Sequence, residues 1–309
     1  MSYDGILNIY KPVGISSFKC VWQIKKILGA KKVGHAGTLD PEAEGILPIC
    51  VGKATRCVDF FMDFSKSYIA EITFGITTNT RDIWGETIST GDASELTETI
   101  LEGILPKLRG KIQQVPPMFS ALKLNGKPLY KYARQGIDLD LPAREVTIYT
   151  LQMRNWQNNG DIVKAELFIE CSKGTYIRSI CHDIGEMLGC GAVMSKLIRS
   201  EYGIFKAEDA VTPEVLEEAM KTGTLMEYIL PVDYVIQGYP RVDLNDNEMQ
   251  DYMNGKILEL PTERIALHSD SNDSIRIYNN GELFAIAKSI EFEAGIRLKH
   301  WKSFKDGGQ

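Results

Sequence analysis

Asp40 stands directly before a proline in the stretch GHAGTLDPEAEGILPICVGKAT, residues 34–55. Proline disfavours the helical conformation in the residue before it, so Asp40 is held in a turn or an extended segment. Gly34, Gly37 and Gly45 let the neighbouring backbone pass close to a ligand. A carboxylate in such a place has two uses. It closes an Asx-turn on its own backbone, or it stays ionised and faces a substrate as nucleophile or base. On this stretch alone the Asx-turn is the simpler reading. Arg178 changes the balance, because it falls in the first turn of the helix expected over 176–188, where the dipole disfavours a cation. A carboxylate from elsewhere in the fold would compensate it and would itself be kept ionised and oriented; the alternative is a side chain reaching solvent. His35 is likewise either a structural turn residue or a ligand-facing one. Tyr68, at the start of an alternating strand, is either core or a platform for a substrate ring.

Other chemistries lack their equipment. GKAT at 52–55 follows Gly45 by six residues rather than the four of a phosphate loop, and Ala54 separates Lys53 from the hydroxyl. The four histidines, His35, His182, His268 and His300, form no His-Glu-x-x-His, and there is no Cys-x-x-Cys. Gly-x-Ser-x-Gly is absent as well. A glycosidase would need a second carboxylate partner for Asp40, and none stands out.

The elements that must position these residues are legible in part. SSFKCVWQIKKIL, residues 16–28, opens with capping serines and stops at Gly29, which predicts an amphipathic helix with Phe18, Val21, Trp22 and Leu28 on or near one face. Residues 68–76 alternate through Tyr68, Ala70, Ile72, Phe74 and Ile76, and residues 162–171 through Val163, Ala165, Leu167, Ile169 and Cys171; both read as strands. SKGTYIRSICHDIGEMLG then supplies a glycine turn, hydroxyls able to cap, and Ile177, Cys181, Ile184 and Leu188 at helical spacing up to Gly189. Residues 112–147 hold four prolines and little periodicity, and read as an insertion projecting from the core. From about residue 237 a small β-rich domain is expected behind the linker VIQGYPRV, with a hairpin turning at Asn280-Gly281.

Charge divides along the chain. Residues 1–206 hold 25 Lys/Arg against 22 Asp/Glu, whereas residues 207–309 hold 10 against 19, so the overall −6 belongs to the C-terminal third. Residues 104–147 carry eight basic side chains and three acidic ones, a segment able to face phosphates or simply solvent. The start MSYDGILNIYKP lacks the features of a signal peptide, and no long uncharged apolar run exists, so a cytoplasmic protein off the membrane is expected. The six cysteines show no framework spacing and read as reduced, buried thiols.

Read in order, NIYKPVGISSF (8–18), GHAGTLDPEAEGILPICVGKATR (34–56), KSYIAEITFGITTNTRDIWGE (66–86), PPMFSALKLNGKPLYKYARQG (116–136), CSKGTYIRSICHDIGEMLGCGA (171–192) and LIRSEYGIF (197–205) resemble the motifs of the TruB family of tRNA pseudouridine synthases. The resemblance covers residues 5–206; beyond 238 a weaker one is to a small RNA-binding PUA domain. It implies an α+β fold with a mixed, largely antiparallel central sheet and flanking helices. A catalytic domain would span 1–236, with a thumb-like insertion at about 104–147, and a β-barrel-like, PUA-like domain would span 238–309. It implies isomerisation of uridine 55 in the T loop of tRNA to pseudouridine, without cofactor or metal. The partner would be the tRNA T arm, bound by a monomer with no obligatory protein partner. By the same resemblance Asp40 matches the catalytic aspartate, Tyr68 a tyrosine stacked on the target uracil, and Arg178 the arginine paired with that aspartate. Leu197 matches a leucine walling the base pocket and His35 a histidine entering the T loop; Lys11 and Tyr176 match residues supporting the site. Glu42, Glu44 and Asn79 depart from the family pattern. A non-catalytic RNA-folding or RNA-binding protein would need the basic insertion and the aromatic platform but not the carboxylate.

Overall fold

A computed structural model describes residues 3–137, 139–160, 162–265, 274–292 and 295–304. Seven strands form the spine of a large sheet: β1 (Gly5–Lys11), β2 (Glu44–Val51), β3 (Lys66–Phe74), β4 (Gly110–Gln114), β5 (Arg144–Asn158), β6 (Val163–Cys171) and β7 (Ala192–Tyr202). Their spatial order is β1-β2-β7-β3-β6-β5-β4, and every pair is antiparallel except β2 with β7. The short strands Val33–His35 and Phe205–Lys206 pair with β2 and β7 and complete nine.

The alternating segments become the centre of this sheet. Tyr68, Ala70, Ile72 and Phe74 of β3 and Val163, Ala165, Leu167, Ile169 and Cys171 of β6 are buried, with Tyr68 opposite Ile169. Helix α2 (Ile177–Leu188) packs Ile177, Ile180, Cys181 and Ile184 into the same core. Each such aliphatic side chain contributes about 1.5–3 kcal/mol by leaving water. Helix α1 (Ser17–Leu28) is capped by Ser16 and ends at a left-handed Gly29, yet its buried face is Ser17, Cys20, Val21, Ile24 and Leu28. Phe18 and Trp22, expected inside, are 77% and 54% exposed. At about 100° per residue they lie a third of a turn off the stripe that Ile24 and Leu28 define.

Two further expectations are corrected. The hydroxyls before α2 do not cap it: its N-cap is Tyr176, without a side-chain cap, because Thr175 Oγ1 donates to Ser172 O and Ser172 Oγ accepts from Thr147 N–H. The insertion is shorter than 104–147. Residues 110–114 pair with 144–148 inside the large sheet, so only residues 115–143 leave it, as a hairpin (Lys123–Leu124 with Lys127–Pro128) and a short helix Leu129–Ala133.

A second sheet of five strands follows: β8 (Arg241–Asp243), β9 (Leu258–Leu260), β10 (Ser274–Asn279), β11 (Glu282–Phe292) and β12 (Gly295–Ser303), in the order β8-β10-β11-β12-β9. Asn280 and Gly281 both have positive φ, 51° and 80°, as a tight hairpin requires. The segment read as a linker is a packed junction. Val235 and Ile236 are buried with Phe60, Phe61 and Tyr202 on one side and Ile286 and Phe304 on the other. Lys302 Nζ lies 2.6 Å from Asp59 Oδ2, and Arg56 donates to Ser303 O at 2.9 Å. All six cysteines are free and buried. Among the described residues no helix is long and apolar enough to cross a membrane.

Candidate active site

The loop between Val33–His35 and β2 carries Asp40, and side chains from three elements fix its backbone. Ser17, at the start of α1, accepts from Leu39 N–H at 2.8 Å and donates to Leu39 O at 2.9 Å. Lys11, at the end of β1 and fully buried, donates to the carbonyls of Pro12, Ile15 and Pro41 at 2.8, 2.8 and 3.2 Å. Burial pulls the Lys11 ammonium down to about 8. Arg199, from β7 and 1% exposed, donates to Ile46 O at 2.7 Å, Gly37 O at 3.2 Å and Thr38 O at 3.4 Å. Gly45 is required beneath it: with φ +106° and Arg199 as its parallel partner, a Cβ there would collide with the Arg199 carbonyl.

The Asp40 carboxylate is met by Arg178 at the start of α2. Arg178 Nε lies 3.0 Å from Asp40 Oδ2, and Nη2 lies 3.5 Å from Oδ1. The guanidinium is 5% exposed and has further acceptors: Thr80 O at 3.0 Å, Phe119 O at 2.8 Å and the Asp82 carboxylate at 3.5 Å. Two carboxylates and two carbonyls therefore offset its unfavourable place on the helix dipole. Burial raises the Asp82 pKa, against the pull of Thr80 and Arg178. The Asp40 side chain keeps 42% of its surface open, so the ion pair faces a space that a ligand can enter.

That space is a cavity of about 260 Å³ whose walls include Asp40, Tyr68, Tyr176, Arg178 and Leu197. Strand register brings Tyr68 and Leu197 together: Arg199 pairs with Tyr68 and Leu197 with Ala70 across β7 and β3. Tyr68 and Leu197 are 7% and 6% exposed, which makes the floor apolar. Burial raises the Tyr68 pKa, with the nearby Arg199 charge opposing it, so its phenol is neutral at pH 7. Lys66, also at the wall, sits 4.4 Å over the Tyr202 ring, and burial followed by the Arg199 charge lowers its pKa to about 8.

Five of the residues singled out from the sequence thus share one cavity, and Lys11 sits behind the loop that carries Asp40. His35 is not among the cavity walls. It pairs with Ile49 at the edge of β2, and burial, then the Arg199 charge, lowers its pKa. Sequence reasoning missed Ser17, Asp82, Gln114 and Arg199. Arg199 lies within the quoted LIRSEYGIF motif, two residues after Leu197 and hence on the same strand face; Ser17 and Asp82 also fall inside quoted motifs, NIYKPVGISSF and KSYIAEITFGITTNTRDIWGE, and Gln114 alone lies outside them. Of the basic residues of 104–147, Arg109 is spent on Leu151 O at 2.8 and 3.0 Å and Lys111 pairs with Glu145 at 3.0 Å. Lys123 and Lys131 are exposed on the excursion.

Comparison with known proteins gives the family. The profile of the TruB family pseudouridylate synthase N-terminal domain matches residues 25–177, and that of the tRNA pseudouridylate synthase B C-terminal domain matches 178–237. The chain is 42% identical over 285 residues to a tRNA pseudouridine synthase B of Bacillus velezensis, covering 92% of each. It is 39% identical over 302 residues to that of Clostridioides difficile, covering 97% of this chain and 99% of the other. Among solved structures it is similar to a chain of an H/ACA RNP bound to a substrate RNA containing 2'-deoxyuridine, with TM-score 0.72 and 26% identity over 98% of this chain and 85% of that one. A chain of a Cbf5-Nop10-Gar1 complex gives TM-score 0.71 and 28% identity over 97% and 85%. By sequence over nearly its whole length, and by the fold that builds the cavity, this chain belongs to the TruB family of pseudouridine synthases.

Proposed function

We propose that the chain is a cytoplasmic tRNA pseudouridine synthase that isomerises uridine 55 of the T loop, acting as a monomer with Asp40 as its catalytic carboxylate. The observation that carries the reading is the Arg178–Asp40 pair at 3.0 Å, open to a cavity floored by Tyr68 and Leu197. The reaction breaks the N1–C1′ bond, turns the detached uracil and forms C5–C1′; C5 loses a proton and N1 gains one, with no net redox change. Asp40 serves this either as a nucleophile on the ribose or the uracil, or as a base on a ribose proton. Each role needs the same preparation, a carboxylate oxygen aimed at the nucleotide, and the Arg178 guanidinium holds it in place. Tyr68 and Leu197 confine the loose ring while it turns. A neutral, buried phenol suits Tyr68 for packing and hydrogen bonding on that ring.

The uridine reaches the cavity by leaving its stack, and stacking and backbone contacts must offset that step. Lys123 and Lys131 on the excursion suit phosphate contacts, and His35, at the root of the Asp40 loop, suits contact with the T loop. Residues 1–236 are assigned to catalysis, and residues 238–309 to a PUA-like RNA-binding domain. The test is tritium release from a T-arm RNA labelled at uridine C5. The unsubstituted protein is expected to release tritium and Asp40→Asn to bind the RNA without release. Equal release from Asp40→Asn would remove Asp40 from the chemistry; binding without release by both would make the chain an RNA-folding protein.

A further inference from the structure

The start of α2 is held from outside. Its own hydroxyls are committed elsewhere, and Gln114, the last residue of β4, instead grips the N-cap residue Tyr176 by its backbone. Gln114 Oε1 accepts from Tyr176 N–H at 2.8 Å, and its Nε2 donates to Tyr176 O at 3.1 Å. The side chain is 2% exposed, so both ends of a buried amide are spent on a single residue of the cavity wall. The next residues of the same segment continue the attachment. Val115 O accepts from Ser179 Oγ at 3.3 Å and from Arg81 Nη1 at 3.1 Å, and Arg81 also donates to Ser179 Oγ at 2.7 Å. Phe119 O accepts from Arg178 Nη2 at 2.8 Å. Residues 114, 115 and 119, one root of the excursion, are therefore tied to residues 176, 178 and 179, the first turn of the helix that carries Arg178.

We propose that Gln114 is a positioning residue for the isomerisation: through Tyr176 it sets the start of α2 and so the placement of the Arg178 guanidinium on Asp40. The root of the excursion and the reacting carboxylate are then one mechanical unit, and a displacement of residues 115–143 by bound RNA reaches Asp40 through Arg178. The physical reason is economy of contacts. Tyr176 O also accepts from the N–H groups of Ser179 and Ile180, so losing Gln114 chiefly leaves the Tyr176 N–H without its acceptor and frees the helix start to shift. Asp40 is untouched by the change, and so is every exposed lysine of the excursion.

This inference rests on the isomerase reading, and the experiment separates the two. Gln114→Met, close in volume and without polar atoms, and Gln114→Glu, which keeps the acceptor for Tyr176 N–H, are made in the full chain. Tritium release is followed in single turnover with enzyme in excess, where only folded, RNA-bound enzyme reports, and RNA affinity is measured separately. The expected result is a rate about 10–100-fold lower for Gln114→Met, a smaller loss for Gln114→Glu, and affinities within about twofold of the unsubstituted chain. A displaced reacting group gives that split between rate and affinity; a merely structural role does not. An unchanged rate in folded Gln114→Met, a loss in Gln114→Glu as large as in Gln114→Met, or a loss confined to RNA affinity would overturn the proposal. An unsubstituted chain that gives no product would sink the isomerase reading and this inference with it.

Discussion

Replacing Lys11 with methionine tests whether the Asp40 loop really stands on a buried charge. The ammonium is fully buried, and its hydrogens go to three carbonyls, including that of Pro41 beside Asp40. Burial lowers its pKa from 10.5 to about 8, a gap of about 2.5 pH units or about 3 kcal/mol. The sign follows from proton counting. The folded state releases this proton first as pH rises, so between pH 8 and 10.5 the unfolded chain binds more protons and stability increases with pH. Below pH 8 the burial penalty is present in full; above 10.5 it is gone. Lys66 has the same sign, and the buried cysteines, whose pKa values burial raises, have the opposite one, so the curve of one protein alone mixes them. The difference between the unsubstituted chain and Lys11→Met isolates the group. Measured by urea unfolding, that difference is expected to move in favour of the unsubstituted chain by up to about 3 kcal/mol from pH 7.5 to 10.5. A flat difference across this range would refute the buried, protonated Lys11 on which the loop geometry depends.

Arg178→Lys keeps the charge but cannot reach Asp40, Asp82, Thr80 O and Phe119 O together; tritium release is expected to fall about 10²–10³-fold with RNA binding nearly unchanged, and activity within threefold would contradict the role of the fork. Deleting residues 238–309 strips Tyr239, Trp301 and Lys302 from Phe60 and removes Ile286 and Phe304 from the junction, so calorimetry is expected to show melting lowered by about 5 °C or more, together with weaker RNA binding. Unaltered RNA affinity in the truncated protein would count against an RNA role for the five-stranded sheet.

Where one stretch of chain interacts mainly with itself, reading it in isolation worked. The alternation in β3 and β6, the serine cap and terminal glycine of α1, and the Asn280-Gly281 turn are set by neighbours within a few residues. Reading failed where a partner strand decides. Residues 110–114 and 144–148 show little periodicity of their own and become strands because they pair with each other at the sheet margin. Phe18 and Trp22 show the limit from the other side: apolar type alone placed them inward, while the stripe that meets β1 and β2 is centred on Ile24 and Leu28.

For the site, the sequence by itself determined the chemical vocabulary. A carboxylate barred from helix by Pro41, an arginine at a helix start in need of an acceptor, a tyrosine opening a buried strand and an ordered set of family motifs all stand in the residues as written. Only the tertiary structure decided who meets whom. Asp40 and Arg178 are 138 residues apart, and Arg199 and Ile46 are 153 apart; the parallel pairing of β2 with β7 and the antiparallel pairing of β7 with β3 bring them within bonding distance. Asp82, Gln114 and Ser17 acquire their places in the same way. A side chain's type is a local property of the chain, whereas burial and the partner it finds there depend on strand register across the whole sheet.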